Sequence, residues 1–140
     1  MAPLPQTSLT DPERRLAALR QFAADGGYQL TVTGRSMDPA LAQGQNVQVK
    51  DASRFWPGDI LLFADHHDQL VVHRLLGYRY RHGHWQYIMR GDALAKHDVP
   101  VGRGRIVGKV VDVPVSLADR FRATARLLYL AVRYLPGKRR

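Results

Sequence analysis

Four polar side chains in this 140-residue sequence could together perform acyl-transfer chemistry: Ser36, His73, Asp92 and Asp98. A serine hydroxyl is a weak nucleophile at neutral pH, and it needs a base within hydrogen-bonding reach to take its proton. Histidine titrates in the range that suits this task and can later return the proton to a leaving amine. A carboxylate on the second ring nitrogen would fix the tautomer of the histidine, and both aspartates are candidates for that position.

Ser36 lies in the segment Gly34-Arg35-Ser36-Met37-Asp38-Pro39, after a predicted strand over residues 28–33. Gly34 ends the alternation of apolar and polar residues that predicts this strand. Pro39 fixes its own φ angle and biases Asp38 away from the helical region, so we expect a constrained bend. Taken alone, Ser36 is also explained as a turn or capping residue, and His73 as a hydrogen-bonded core histidine.

The N-terminal part of the chain contains a strong helix signal. Thr10-Asp11-Pro12-Glu13 has the spacing of a capping box with proline in the first turn, which predicts a helix over residues 11–24. Gly26 and Gly27 end it, and residues 1–10 are expected to form a flexible N-terminus. A single helix does not make a helix-turn-helix module, which argues against a transcription factor.

The middle of the chain is predicted to be a set of short strands joined by hairpins. The apolar segments that indicate them are residues 28–33, 46–50, 60–64, 70–76, 85–89 and 105–113, with a loop over residues 93–104. Six or seven such strands without helices between them are typical of an antiparallel barrel or sandwich. The predicted fold is therefore mainly β, with flanking N- and C-terminal helices.

The C-terminal segment, residues 116–140, is predicted to be a basic amphipathic helix, from Ser116 to Leu135, followed by a tail. The arginines lie mainly off one side of this helix. The positions that share that side are Leu117, Phe121, Thr124, Leu128, Ala131 or Val132, and Leu135. Two interpretations remain open. The helix packs on the β body with a solvated basic face, or it lies on anionic lipid or against a partner protein.

Composition and charge narrow the class of protein. The net charge is +9, and +6 of it lies in residues 116–140, which hold seven basic residues and one acid, Asp119. The rest of the chain is nearly neutral and does not indicate a nucleic-acid binder. The sequence has no cysteine, no apolar run of spanning length and no secretory signal at residues 1–10, as in a cytoplasmic protein. Residues 116–140 would allow peripheral contact with a membrane.

Five of the six histidines could act as metal ligands. These histidines are His66, His67, His82, His84 and His97. His82 and His84 form an H-x-H pair on a predicted hairpin, but the sequence offers no third ligand at a supporting spacing. A glycine-rich phosphate loop is also missing. The sequence therefore predicts neither a metal nor a cofactor.

Several segments, in order, resemble the serine peptidases of the clan that contains signal peptidases and self-cleaving repressors. The matching segments are Ser36-Met37-x-Pro39, Pro57-Gly58-Asp59, His73-Arg74, Gly91-Asp92, Asp98 and Ile106-Val107-Gly108-Lys109-Val110. Together they extend from Thr31 to about Val113. Bacterial signal peptidases and repressors use a lysine base, whereas the endoplasmic-reticulum type and its archaeal relatives carry histidine there. With His73, this chain resembles the histidine type.

This resemblance implies a catalytic domain of the signal-peptidase type over residues 11–115. Ser36 would be the nucleophile and His73 the general acid and base. We assign Asp98 as the group that orients His73, and Asp92 as a strand-end residue that shapes the site. The substrate would be a leader or signal-like peptide with small side chains near the scissile bond, bound beside the sheet as an extended strand. Contacts with it are expected from Gly34, Arg35, Met37 and Pro39.

The chain departs from the membrane signal peptidases in two ways. Those enzymes usually have a hydroxyl residue two places before the nucleophile, which helps to form the oxyanion hole, and here that residue is Gly34. They also carry a transmembrane helix before the serine segment, where this chain has its capped helix. Two hypotheses follow: a serine endopeptidase, or a module of the same fold that binds a peptide or partner without cutting it.

Overall fold

The computed structural model describes residues 9–133. The first eight residues of the predicted flexible N-terminus, and the predicted helix end and basic tail from residue 134 onward, lie outside them. The described elements are α1 (Asp11–Ala24), β1 (Tyr28–Thr31), β2 (Asn46–Lys50), β3 (Ile60–Ala64), β4 (Leu70–Arg81), β5 (His84–Arg90), β6 (Val101–Gly102), β7 (Ile106–Val110) and α2 (Leu117–Arg133).

The seven strands form one antiparallel sheet in the order β1-β2-β7-β3-β4-β5-β6. The mainly β architecture with a helix before and after it is therefore confirmed. Within the described residues β1 and β6 each pair with one neighbour, so the sheet is open and a closed barrel is not shown. Helix α1 begins with the predicted capping box, since Thr10 and Glu13 each bond the backbone N–H of the other.

The strand limits differ from the sequence prediction at several places. Strand β1 ends at Thr31 rather than at Thr33, and β4 continues to Arg81 instead of ending at Leu76, because residues 77–81 pair with β5. The short β6 lies inside the segment predicted as a loop, because residues 101–102 pair with the middle of β5. Strand β7 ends at Val110 rather than at Val113. The physical reason is that the Asp112 carboxylate, not a backbone carbonyl, accepts the N–H of Gln48 at 3.0 Å.

The core lies on both faces of the sheet. On one face, Ile60 and Leu62 pack in a cluster that includes Ala23 of α1; on the other face, Leu61 and Phe63 pack with residues of β4 and β5. Strand β3 is thus buried on both sides, which explains its unbroken apolar sequence. This central strand is the rigid element beside which β4 is held.

Helix α2 packs on the sheet through a different face from the predicted apolar one. Ala123 is buried, and Leu127 and Leu130 pack beside it. A Cβ at Gly77 would come within 2.4 Å of the Leu127 side chain, so this approach depends on small residues. Leu117 and Phe121, predicted for the apolar face, are instead 77% and 76% exposed. No helix within residues 9–133 has the length and apolar character needed to cross a membrane.

An ion pair fixes the first turns of α2. The Arg120 guanidinium donates to the buried carboxylate of Asp59 at 3.0 Å and to the Pro57 carbonyl at 3.1 Å. A Cβ at Gly58 would lie 3.0 Å from the Arg120 Cα. The turn at residues 56–59 and the start of the helix are therefore in direct backbone contact.

Replacing Arg120 with methionine should destabilise the fold by about 2 kcal/mol, because a buried carboxylate loses its cation. Urea unfolding followed by circular dichroism would measure this free energy. Arg122→Met is the matched control, since the Arg122 side chain is 79% exposed and its surface pair with Asp119 contributes under about 1 kcal/mol. Equal losses in the two variants would contradict the expected role of Arg120.

Candidate active site

Strand β4 positions the central histidine of the candidate site. His73 pairs with Leu61 of β3 and is only 4% exposed. Because side chains alternate across a strand, the adjacent Arg74 points to the opposite face. The loop between β1 and β2 brings Ser36 within hydrogen-bonding distance of His73. His73 and Arg74 are neighbours in sequence, but their side chains therefore contact different parts of the protein.

Ser36, His73 and Asp98 form one hydrogen-bonded chain. Ser36 Oγ lies 3.0 Å from His73 Nε2, and His73 Nδ1 lies 2.5 Å from Asp98 Oδ2. A carboxylate only accepts, so Nδ1 is the protonated ring nitrogen and donates to Asp98. Nε2 is then free to accept the proton of the serine hydroxyl. This is the arrangement in which an imidazole activates a serine.

Asp98 is brought to His73 by the loop between β5 and β6. Its backbone N–H donates to the Met89 carbonyl at 2.7 Å, which ties the loop to the end of β5. The predicted assignment of Asp98 as the neighbour of the imidazole agrees with this geometry. The His97 ring bonds the carbonyl of Asp98 at 2.7 Å and takes no part in the Ser36–His73 contact.

Asp92 is not brought to His73. Its two carboxylate oxygens accept from Nε and Nη2 of Arg74, both at 2.8 Å, and Arg74 Nη1 donates to the Gly58 carbonyl. Burial acts to lower the pKa of Arg74, but the hydrogen bonds and charge of Asp92 outweigh it and leave that pKa above its usual value. Asp92 thus supports the strand end from the face opposite to the imidazole.

Gly91 allows the backbone to approach the site closely, a role that the sequence did not reveal. A Cβ there would lie 2.7 Å from the Ser36 carbonyl oxygen and 3.0 Å from His73 Nε2. Two residues further on, Ala93 donates its N–H to the same carbonyl at 2.9 Å. The sequence signals were a glycine directly after an apolar strand and the place of Gly91-Asp92 among the segments that carry the family resemblance.

The serine loop presents a free backbone donor. Among residues 9–133, the N–H of Ser36 donates to no protein acceptor, so it is available to a developing oxyanion. Gly34 has φ +76°, a left-handed conformation that favours glycine over a hydroxyl residue. The lack of a side-chain hydroxyl at this position therefore has a backbone reason.

The residues predicted to contact substrate differ in burial and in their position relative to the cavity beside Ser36. Met37 is 2% exposed, packs in the core and also lines the cavity beside Ser36. Gly34, Arg35 and Pro39 are exposed and lie outside that cavity's wall. Any contact they make with a substrate would therefore be on the outer surface of the loop.

A cavity of about 340 Å³ opens next to Ser36 and His73. Its wall is largely apolar and includes Leu30, Val32, Met37, Leu62, Leu70 and Val72. Residues 70–72 pair with β3 on one side, but pairing of β4 with β5 begins only at Arg74. The other backbone edge of residues 70–72 is thus unoccupied by any described strand, and such an edge can accept an extended peptide.

In the part of the chain that the structure describes, no three histidine, aspartate or glutamate side chains converge as metal ligands would. Comparison of the chain with protein-family models and with curated proteins finds no match. The geometry of the site itself is therefore the basis for assigning a function.

Proposed function

We propose that this protein is a serine endopeptidase of the histidine type within the signal-peptidase clan, which cleaves a leader or signal-like peptide. The observation that carries the proposal is the chain of contacts from Ser36 through His73 to Asp98, with distances of 3.0 and 2.5 Å. The three residues are separated by 37 and 25 positions in sequence. Their convergence is consistent with selection for chemistry rather than for a local turn.

The proposed reaction starts with attack of Ser36 Oγ on the scissile carbonyl carbon while His73 Nε2 takes the hydroxyl proton. Asp98 stabilises the imidazolium, and the backbone N–H of Ser36 donates to the oxyanion. Collapse of the intermediate breaks the C–N bond, and His73 gives its proton to the leaving amine. A water molecule, deprotonated by His73, then hydrolyses the acyl-enzyme and restores the serine.

The substrate would bind as an added strand along residues 70–72, which end at the catalytic histidine. Backbone hydrogen bonds would supply affinity independent of sequence, and side chains that enter the 340 Å³ cavity would supply selectivity. The apolar wall favours an apolar side chain there. A small side chain next to the scissile bond is what the resemblance to signal peptidases implies.

Incubation of the full chain with a library of unfolded-protein fragments, followed by mass spectrometry of new N-termini, tests the proposal. We expect new termini that share a short preference around the cut site and are missing when Ser36→Ala protein is used. Equal sets of termini from both proteins, or none from the wild type, would reject the peptidase.

The second candidate function is a peptide-binding module without catalysis, and Gly34 is the observation that favours it. With no hydroxyl at this position, the oxyanion would lose one donor, which typically costs ~100-fold or more in rate. In the same experiment this module would retain fragments on the immobilised protein without producing new termini. The two functions thus give different results from one sample.

Replacing Gly91 with alanine should lower kcat/KM by about 100-fold, because the new Cβ displaces the Ser36 carbonyl or the His73 ring. Steady-state cleavage of a peptide taken from the fragment library would measure the change. Gly102→Ala is the control, since a Cβ at that position meets no atom within 4 Å. If G91A and G102A cleave alike, the close approach at Gly91 is not needed for activity.

A further inference from the structure

The face of α2 that points away from the sheet is apolar. Phe121 is 76% exposed, Leu128 61% and Val132 69%, and together with Leu117 they recur at intervals of four, seven and four residues. Since successive helical residues are rotated by about 100°, these four side chains fall on one face. Two full turns or more of aliphatic and aromatic surface therefore lie in solvent, although the helix is firmly attached through its opposite side.

A row of arginines runs beside this apolar face. The same helical rotation places Arg122, Arg126 and Arg133 together on one side of α2, and the exposed Tyr129 lies between them and the apolar residues. Acidic neighbours are few, because Asp119 is the one carboxylate of α2. The helix thus combines an apolar face with a cationic flank.

The other flank of the apolar face carries an exposed aromatic side chain. Trp56 is 54% exposed, and it forms a shallow surface pocket with Arg120 and Thr124 of α2. The turn that holds Trp56 is fixed to the helix by the Arg120–Asp59 pair. An indole and a phenol therefore border the apolar face on its two sides.

Beneath the arginine flank, an open cavity of about 600 Å³ lies between α2 and the sheet. Four arginines and two aspartates line it: Arg74, Arg90, Arg122, Arg126, Asp92 and Asp119. One of these aspartates, Asp92, is already neutralised by its bidentate pair with Arg74. The cavity is therefore net cationic and suits a phosphate or carboxylate group on the arginine side of α2.

We propose that α2 docks the protein on an anionic lipid surface. The apolar residues Leu117, Phe121, Leu128 and Val132 would enter the acyl boundary, while Arg122, Arg126 and Arg133 would meet lipid phosphates. A helix with an apolar face and arginines beside it is the type that lies in the plane of a membrane interface. Trp56 and Tyr129 would lie at headgroup level, where such amphipathic rings are favoured.

Charge favours lipid over a second copy of this chain as the occupant of the face. Two molecules of net charge +9 repel each other, whereas an anionic leaflet attracts basic side chains. This docking does not depend on the proposed peptidase activity. A protein with no catalysis would bind lipid in the same way.

Sedimentation of the full chain with vesicles tests the docking. We expect binding to vesicles of phosphatidylcholine with about one-third phosphatidylglycerol, and at least ~10-fold weaker partitioning to phosphatidylcholine alone. The double variant Phe121→Ser/Leu128→Ser should lose at least ~10-fold in partitioning. Arg122→Gln/Arg126→Gln should lose about five-fold per arginine, and less at high salt. All four positions are exposed, so circular dichroism should show unchanged folding.

The matched control is Phe22→Ser, because Phe22 is 59% exposed but belongs to α1. Its partitioning should equal that of the wild type. The proposal is overturned if the wild type does not sediment with anionic vesicles, or if Phe22→Ser loses as much binding as the α2 variants. It is also overturned if light scattering shows a dimer that Phe121→Ser/Leu128→Ser converts to monomers, since the face would then be a contact between copies.

Discussion

Replacing Ser36 with alanine is expected to lower kcat/KM by at least ~10⁴-fold, because the attacking oxygen is removed while the fold remains. Among residues 9–133, the Ser36 side chain makes one hydrogen bond, to His73. The affinity for an uncleaved peptide should therefore stay within about two-fold of the wild-type value. Cleavage kinetics and fluorescence anisotropy on one labelled peptide would separate these two effects.

Ser53→Ala is the control for this prediction, since Ser53 is also a loop serine but is exposed and lies outside the site. Its kcat/KM should equal that of the wild type. Retained cleavage in Ser36→Ala protein would show that the nucleophile is another group or a contaminating enzyme. A loss of peptide affinity equal to the loss of kcat/KM would instead show that Ser36 acts in binding.

Replacing Asp98 with asparagine is expected to lower kcat by about 10³–10⁴-fold. An amide can donate to Nδ1 and so favour the wrong tautomer, in which Nε2 carries the proton and cannot accept that of Ser36. The neutral amide also fails to stabilise the imidazolium. Steady-state kinetics at saturating peptide would give this change in kcat, with KM expected to stay close to that of the wild type.

Asp92→Asn provides the contrast, because Asp92 faces Arg74 rather than His73. We expect a loss of about 2 kcal/mol in the free energy of unfolding, since the mostly buried guanidinium loses its counter-charge. The loss in kcat should be no more than about ten-fold, because no proton passes through Asp92. If Asp92→Asn reduced kcat as much as Asp98→Asn, the two carboxylates would share the role that the geometry gives to Asp98.

Two pairs of consecutive residues link the candidate site to the cavity beneath α2. His73 and Arg74 are consecutive on β4 and point to opposite faces, and Gly91 and Asp92 directly follow β5. His73 and Gly91 approach Ser36. Arg74 and Asp92 instead line the arginine-rich cavity beneath α2. The Arg74–Asp92 ion pair therefore ties β4 to the end of β5, next to the residues that form the candidate site.

Much of the architecture could be predicted because it depends on local sequence. The alternation Asn46-Val47-Gln48-Val49-Lys50 gives a strand with one buried face, and the capping box at Thr10 and Glu13 starts a helix. Both patterns operate over a few residues, where propensity and hydrogen bonding are fixed by nearest neighbours. The short β6 was missed because two residues carry no periodicity, and only pairing with β5 makes them a strand.

By itself, the sequence determined six of the seven strands, the two helices and four polar residues suited to one reaction. Tertiary structure decided which of them meet: Asp98 reaches the imidazole across 25 residues, while Asp92 turns to Arg74. It also decided which side of α2 is covered, since Arg120 pairs with Asp59 across 61 residues and leaves the predicted apolar face in solvent. The physical reason is the same in both cases. A periodic pattern fixes which residues share a face, but only contacts between distant segments decide what each face touches.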